Sequence, residues 1–173
     1  MKAYDELWGV AEDNYGIITS AEAEALGVSR QNMVAMARRG DLTRLCQGVY
    51  QVKHHVVGPN DVYAVGIAMV GNTAYLRGAS VIALLNLVPT NLGVLYIGSE
   101  KRVRRRLPKG FFVKDRTKCD TVEIAGIRCQ RVFEALKDAR KEGAIEAHRI
   151  AAAAKNAKEK RLITDEECAQ FQG

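Results

Sequence analysis

Ser29, Arg30, Gln31 and Asn32 set four hydrogen-bonding side chains in a row, and their chemistry suits the edges of nucleic-acid bases. An arginine guanidinium can bond a guanine through two donors at once, and a glutamine or asparagine amide can do the same to an adenine. Arg38, Arg39 and Arg44 follow in the same stretch. They suit phosphate oxygens, contacts that position a protein on a duplex without specifying sequence. A second concentration of charge lies further along. Residues 101–118 carry Lys101, Arg102, Arg104, Arg105, Arg106, Lys109, Lys114, Arg116 and Lys118 against Asp115 alone, a balance of +8. The whole chain carries +6, so this segment alone exceeds the total. Residues 1–29 lean the other way, with Lys2 against Asp5, Glu6, Glu12, Asp13, Glu22 and Glu24, a balance of −5. Concentrated positive charge is the footprint of a polyanion binder. As a loop, 101–109 is expected to add phosphate contacts through Lys101, Arg102, Arg104, Arg105, Arg106 and Lys109; it could instead engage RNA or an acidic protein surface.

For residues 29–32 to enter a major groove they must open the second helix of a helix-turn-helix. The flanking residues predict that geometry. Thr19 with Glu22 forms a capping box for a short helix over 21–26, and Gly27 closes it, glycine being the residue that best tolerates a left-handed helix end. Ser29 is a second N-cap candidate, starting a helix over 30–39 that Gly40 stops. Met33, Met36 and Ala37 fall at helical spacing on the side away from the polar start, and are expected to face the core. Residues 42–45 and 48–52 read as a two-stranded wing around Cys46-Gln47. Upstream, 3–14 reads as an amphipathic helix with Leu7, Val10 and Ala11 on one side and Tyr4 and Trp8 flanking.

The phrases Gly-Ile-Ile-Thr (16–19), Ala-Glu-Ala-Leu-Gly-Val-Ser (23–29), Arg-Arg-Gly-Asp-Leu-Thr-Arg (38–44) and Gly-Val-Tyr-Gln-Val (48–52) together resemble the N-terminal domain of the AbiEi-type antitoxins. These are transcriptional regulators of type IV toxin-antitoxin and abortive-infection systems. The resemblance covers residues 1–55. It implies a winged helix-turn-helix repressor that binds double-stranded operator DNA upstream of its own operon. It also implies a nucleotidyltransferase-like toxin as functional counterpart, countered without a stable protein complex. Family members often open a later helix with a Ser-His-Glu-Ser-Ala-Leu-like segment. This chain has Leu76-Arg-Gly-Ala-Ser-Val-Ile-Ala-Leu-Leu85, with Ser80 as a cap-like serine and no histidine.

Beyond the wing, 54–60 (His-His-Val-Val-Gly-Pro-Asn) reads as a linker, with Gly58 and Pro59 marking a boundary and Asn60 or Asp61 capping the next helix. The expected division is a winged helix-turn-helix domain over 1–55 and an α+β domain over 56–173, a small mixed sheet packed with helices. Its predicted elements are helices over 61–70 and 79–87, strands at 74–76, 93–98 and 111–114, a hairpin of 121–124 with 127–130, and helices over 132–141, 144–158 and 165–172. Thr164 with Glu167 is another capping box. The alanines at 151–154 read as a packing face.

Several function classes find little support. Cys46, Cys119, Cys129 and Cys168 form no Cys-x-x-Cys pair, and with His54, His55 and His148 they lack metal-site spacing. Adjacent histidines on extended chain point to opposite faces, which suits no shared ion. Gly98-Ser99 after a strand resembles the opening of a nucleotidyltransferase site, but no Asp-x-Asp or Glu-x-Asp pair follows to hold magnesium. No Gly-x-Ser-x-Gly, His-Glu-x-x-His or Walker loop is present. A non-enzymatic protein without metal or cofactor is expected. No apolar run approaches the ~18 residues of a membrane span, and the charged start is unlike a signal peptide, so a cytoplasmic location is expected. The alternative function is a protein-interaction module that neutralises a toxin by direct binding, since winged helices also serve as protein interfaces. Nothing in the sequence marks a dimer seam.

Overall fold

The structure, a computed structural model, describes residues 2–173. It is a mixed α and β chain that divides into two compact units, Met1–Met69 and Val70–Gly173.

The first unit runs α1 (Lys2–Glu12), β1 (Ile17–Thr19), α2 (Ser20–Ala25), α3 (Arg30–Arg39), β2 (Leu42–Cys46), β3 (Val49–Val52) and α4 (Asp61–Val70, which ends at the unit boundary). Its core gathers Leu7 and Ala11 from α1, Ile18 from β1, Ala23 from α2, Met33 and Met36 from α3, and Leu42, Tyr50 and Val52 from the strands. The expected capping box forms: the Thr19 hydroxyl accepts from the Glu22 amide, and the Glu22 carboxylate accepts from the Thr19 amide at 2.8 Å. Gly40 closes α3 in the left-handed conformation at φ 85°, where a residue with a Cβ would be strained.

The sequence pattern did not reveal β1. It pairs antiparallel with β3, Ile17 opposite Gln51 and Thr19 opposite Val49, while β2 pairs with the other edge of β3. The hairpin is thus two strands of a three-stranded sheet, order β1-β3-β2. Tyr15 and Gly16, both at positive φ, swing the chain from α1 into β1. A Cβ on Gly16 would stand 2.6 Å from the His55 ring, so only glycine fits beneath that histidine.

The second unit contains β4 (Ala74–Leu76), α5 (Ala79–Leu84), β5 (Leu95–Ser99), β6 (Phe111–Lys114), β7 (Thr121–Ile124), β8 (Ile127–Gln130), α6 (Val132–Glu142), α7 (Ala147–Glu159) and α8 (Asp165–Ala169). The strands form one mixed sheet in the order β6-β5-β4-β8-β7. β5 and β6 are parallel, as are β4 and β8; the β4–β5 and β7–β8 pairs are antiparallel. Leu76, Ile97, Ile127 and Cys129 are buried with Ile82, Leu136, Ala139, Ile150, Ala153 and Ala154 of the helices. The small alanine side chains let α6 and α7 pack closely.

Several expectations for this unit are corrected: the strand over 93–98 begins at Leu95, the helix over 144–158 begins at Ala147, and that over 165–172 ends at Ala169. The helix expected over 79–87 ends at Leu84, because Asn86 turns to φ 50° and the Leu87 amide reaches back to the Ile82 carbonyl. Ser80 does not cap it. Gly78 occupies the cap position, and the buried Ser80 hydroxyl accepts from the Tyr96 amide at 2.8 Å, tying α5 to β5. Beside it Arg77, 2% exposed, pairs with Asp138 at 2.8 Å and Glu142 at 2.6 Å. Burial works against its charge, but the hydrogen bonds and charges of Glu142 and Asp138 outweigh it and raise the arginine pKa.

Candidate nucleic-acid interface

Helix α3 is fixed from one side and open on the other. Met33 and Met36 are buried in the first unit's core. The Ser29 hydroxyl accepts from the Asn32 amide at 3.2 Å, so the residue expected to touch bases also caps its own helix. Side chains of Ser29, Arg30, Gln31 and Asn32 are all exposed, as are Arg38, Arg39 and Arg44.

These residues do not share one surface. Arg30, Gln31, Val34, Ala35, Arg38 and Arg39 line a single open depression of about 470 Å³ along α3. The spacing accounts for it: residues four apart on a helix stand one above the other, giving the rows Arg30–Val34–Arg38 and Gln31–Ala35–Arg39. Asn32, two positions from Arg30, falls round the helix from this face, and Ser29 lies at its end. Val34 and Ala35 make an apolar floor that the sequence-based expectation left out. The signal was present, since the same i, i+4 rule that sends Met33 and Ala37 inward sends 30, 34 and 38 outward.

Two of the arginines are steered by carboxylates. Arg30 donates through Nε to Glu24 of α2 at 2.8 Å. That leaves the two terminal nitrogens of the guanidinium, the end that can fork onto a guanine. Arg39 Nε lies 3.2 Å from Asp41. Arg38 and Arg44 make no ion pair among the described residues. Arg44 stands on β2, where a bulge interrupts the register before Cys46.

In the second unit, residues 100–110 link the parallel strands β5 and β6 without helix or strand. Lys101, Arg102, Arg104, Arg105, Arg106 and Lys109 are all exposed there. The connection is pinned at its ends: the Val103 amide donates to Asp115 at 2.8 Å, the Ser99 hydroxyl donates to the Lys101 carbonyl at 2.9 Å, and the Leu95 amide donates to the Gly110 carbonyl at 2.7 Å. Asp115, the only acid of the segment, therefore has one carboxylate oxygen engaged by backbone.

The other candidate chemistries find different uses. His54 is exposed, whereas His55 turns inward with Nε2 2.5 Å from Asp61. Asp61 also accepts from the Gly58 amide at 3.0 Å and the Gln51 side chain at 3.4 Å, so it ties Gln51 of β3 and His55 just after that strand to the start of α4. Among the described residues no three His, Cys, Asp or Glu side chains gather where they could hold a metal. Ser99 is buried and shares a 3.1 Å hydrogen bond with Thr73. Burial pushes the Cys129 thiol up to about 12, which leaves it without nucleophilic character near neutral pH. No helix among the described residues is long and apolar enough to cross a membrane.

Comparison with known proteins gives three findings. None of the curated proteins matches the chain significantly. A crystal structure of the RV2827C protein from Mycobacterium tuberculosis is similar with a TM-score of 0.42 and 14% sequence identity, covering 99% of this chain and 80% of that one. A family model described as transcriptional regulator, AbiEi antitoxin, matches residues 10–53. That span runs from the last three residues of α1 through β3 and includes all of α3. Residues 10–53 are therefore similar to the AbiEi antitoxin family of transcriptional regulators.

Proposed function

We propose that the chain is a sequence-specific DNA-binding repressor of the winged helix-turn-helix type. It acts as the antitoxin of a type IV toxin-antitoxin system and represses its own operon. The observation that carries this reading is the outward face of α3. Arg30, Gln31 and Arg38 stand on a helix whose other side is sealed by Met33 and Met36, within the segment that matches antitoxin regulators.

In this reading residues 1–55 supply the DNA-binding domain. α3 lies in the major groove with its N-terminal turn deepest. Arg30, oriented by Glu24, forks onto a guanine; Gln31 reads an adenine. Ser29 and Asn32 reach the base edges flanking them. Val34 and Ala35 offer apolar contact to a thymine methyl group. Arg38, Arg39 and, from the wing, Arg44 hold phosphates on either side of the groove. The basic loop 101–109 of the α+β C-terminal domain adds affinity that does not depend on sequence, through Lys101, Arg102, Arg104, Arg105, Arg106 and Lys109. No catalysis and no cofactor are required. The nucleotidyltransferase-like toxin is countered functionally, not by a lasting complex.

Footprinting on the DNA upstream of the gene tests the reading. A protected stretch overlapping the promoter, with no stable co-purification of the neighbouring gene's product, is the expected result. A stable complex with that product and an unprotected promoter would replace repression with direct neutralisation.

A further inference from the structure

The face of the five-stranded sheet opposite its helical core carries a feature that duplex binding leaves unused. The register sets Tyr96 of β5 beside Phe112 of β6, and Gly98 beside Lys114. Side chains two apart on a strand share a face, so Tyr96, Phe112 and Lys114 stand together, on the side opposite buried Ile97. Tyr75 of β4 lies on the same face, close enough that a Cβ on Gly98 would stand 2.3 Å from its ring. Arg128 of β8 lies over that ring at 5.9 Å.

Tyr75 is covered: its hydroxyl donates to the Thr117 carbonyl at 2.8 Å, and it is 1% exposed. Phe112 is not. It is 48% exposed, on an edge strand, with the Tyr96 ring centred 5.3 Å away and tilted by 44°. Natural sheet edges avoid such a residue, because an exposed apolar edge invites pairing with other chains. Cross-strand packing accounts for the contact with Tyr96 but leaves the outer side of the Phe112 ring in water. The exposed side chains of Lys109, Lys114, Arg116 and Lys118 lie on β6 and its two flanks.

We propose that this face binds single-stranded nucleic acid, with an unpaired base stacked on Phe112 and Tyr96 and its phosphates held by Lys114 and the neighbouring cations. An aromatic plane set among positive charges fits an unpaired strand, since every base has a π-face and stacking tolerates any sequence. A duplex keeps those faces inside its own stack and has no use for the ring. An acidic protein surface would satisfy the cations and leave Phe112 idle. The proposal draws on the second unit alone, and it stands whether or not α3 reads an operator.

The test is fluorescence anisotropy of a labelled thymidine 12-mer with the full chain, at fixed salt. Phe112→Leu keeps apolar bulk and removes the ring; it should weaken single-strand binding about tenfold, the scale of one base–aromatic stack. Phe112→Trp should retain binding, and both variants should bind duplex as the parent does, with thermal melts reporting that each is folded. Wild-type affinity in the folded Phe112→Leu variant would overturn the proposal. So would displacement of the oligonucleotide by polyglutamate as readily as by unlabelled thymidine 12-mer.

Discussion

Helix α3 and the segment 101–118 both present arginines to solvent, but their backbones hold those arginines in different ways. On α3 every exposed cation stands on a helix capped by Ser29, ended by Gly40 and seated by two buried methionines. Arg30 and Arg39 each lean on a carboxylate. Between β5 and β6 the chain runs without regular structure, carries a block of exposed cations, and is tied near its ends, in part through the Val103 amide to Asp115 just past β6. Discrimination among bases needs donors held at a fixed angle and distance, because a bidentate contact tolerates little displacement. Attraction to phosphate needs only charge within a Debye length. In the proposed reading, sequence reading therefore falls to α3 and added affinity to the loop.

The largest effect should come from undercutting the rigid member of the pair. Met33 is 0% exposed, and Met33→Ala should destabilise the protein by ~2–5 kcal/mol through reduced burial and the cavity left behind. Chemical denaturation measures that directly. Preference for operator over scrambled duplex should fall with it, while attraction to DNA in general persists through the loop. Equal loss of both kinds of binding would erase the distinction between the two regions.

A smaller effect tests the loop. Replacing Arg104, Arg105 and Arg106 together with alanine should weaken binding to all duplexes alike. It should also flatten the salt dependence by about 0.9 in logarithmic slope for each phosphate no longer neutralised. A titration over salt concentration with an unchanged slope would remove the loop from the interface.

What could be read from the sequence follows the range of the interactions involved. The capping box of Thr19 and Glu22, the span of α3 and the stop at Gly40 are settled by residues within a turn of one another, and they appear as expected. The hairpin of 121–124 with 127–130, joined by a tight turn, is likewise where it was expected, and the strands expected over 42–45 and 48–52 lie within one residue of those bounds. Strand β1 carries no sequence signal, because three residues show no periodicity and its partners on β3 lie 30 to 34 positions along the chain. The Arg77 cluster is hidden for the same reason: its carboxylates arrive from α6, and in sequence Arg77 reads as a surface charge. The outward place of Val34 and Ala35 follows from their spacing alone, four residues from Arg30 and Gln31. Phe112 read as one member of an alternating strand, and its exposure depends on β6 being an edge, which only the sheet order reveals.

Whether the face of α3 carrying Arg30 reads bases is measured most directly by the ratio of affinities for the operator and a scrambled duplex of the same composition. Arg30→Ala should lower that ratio by the equivalent of about 1–3 kcal/mol, one bidentate contact, while leaving affinity for the scrambled duplex nearly as it was. If the two duplexes weaken by the same factor, Arg30 contributes charge alone and α3 is not the reader.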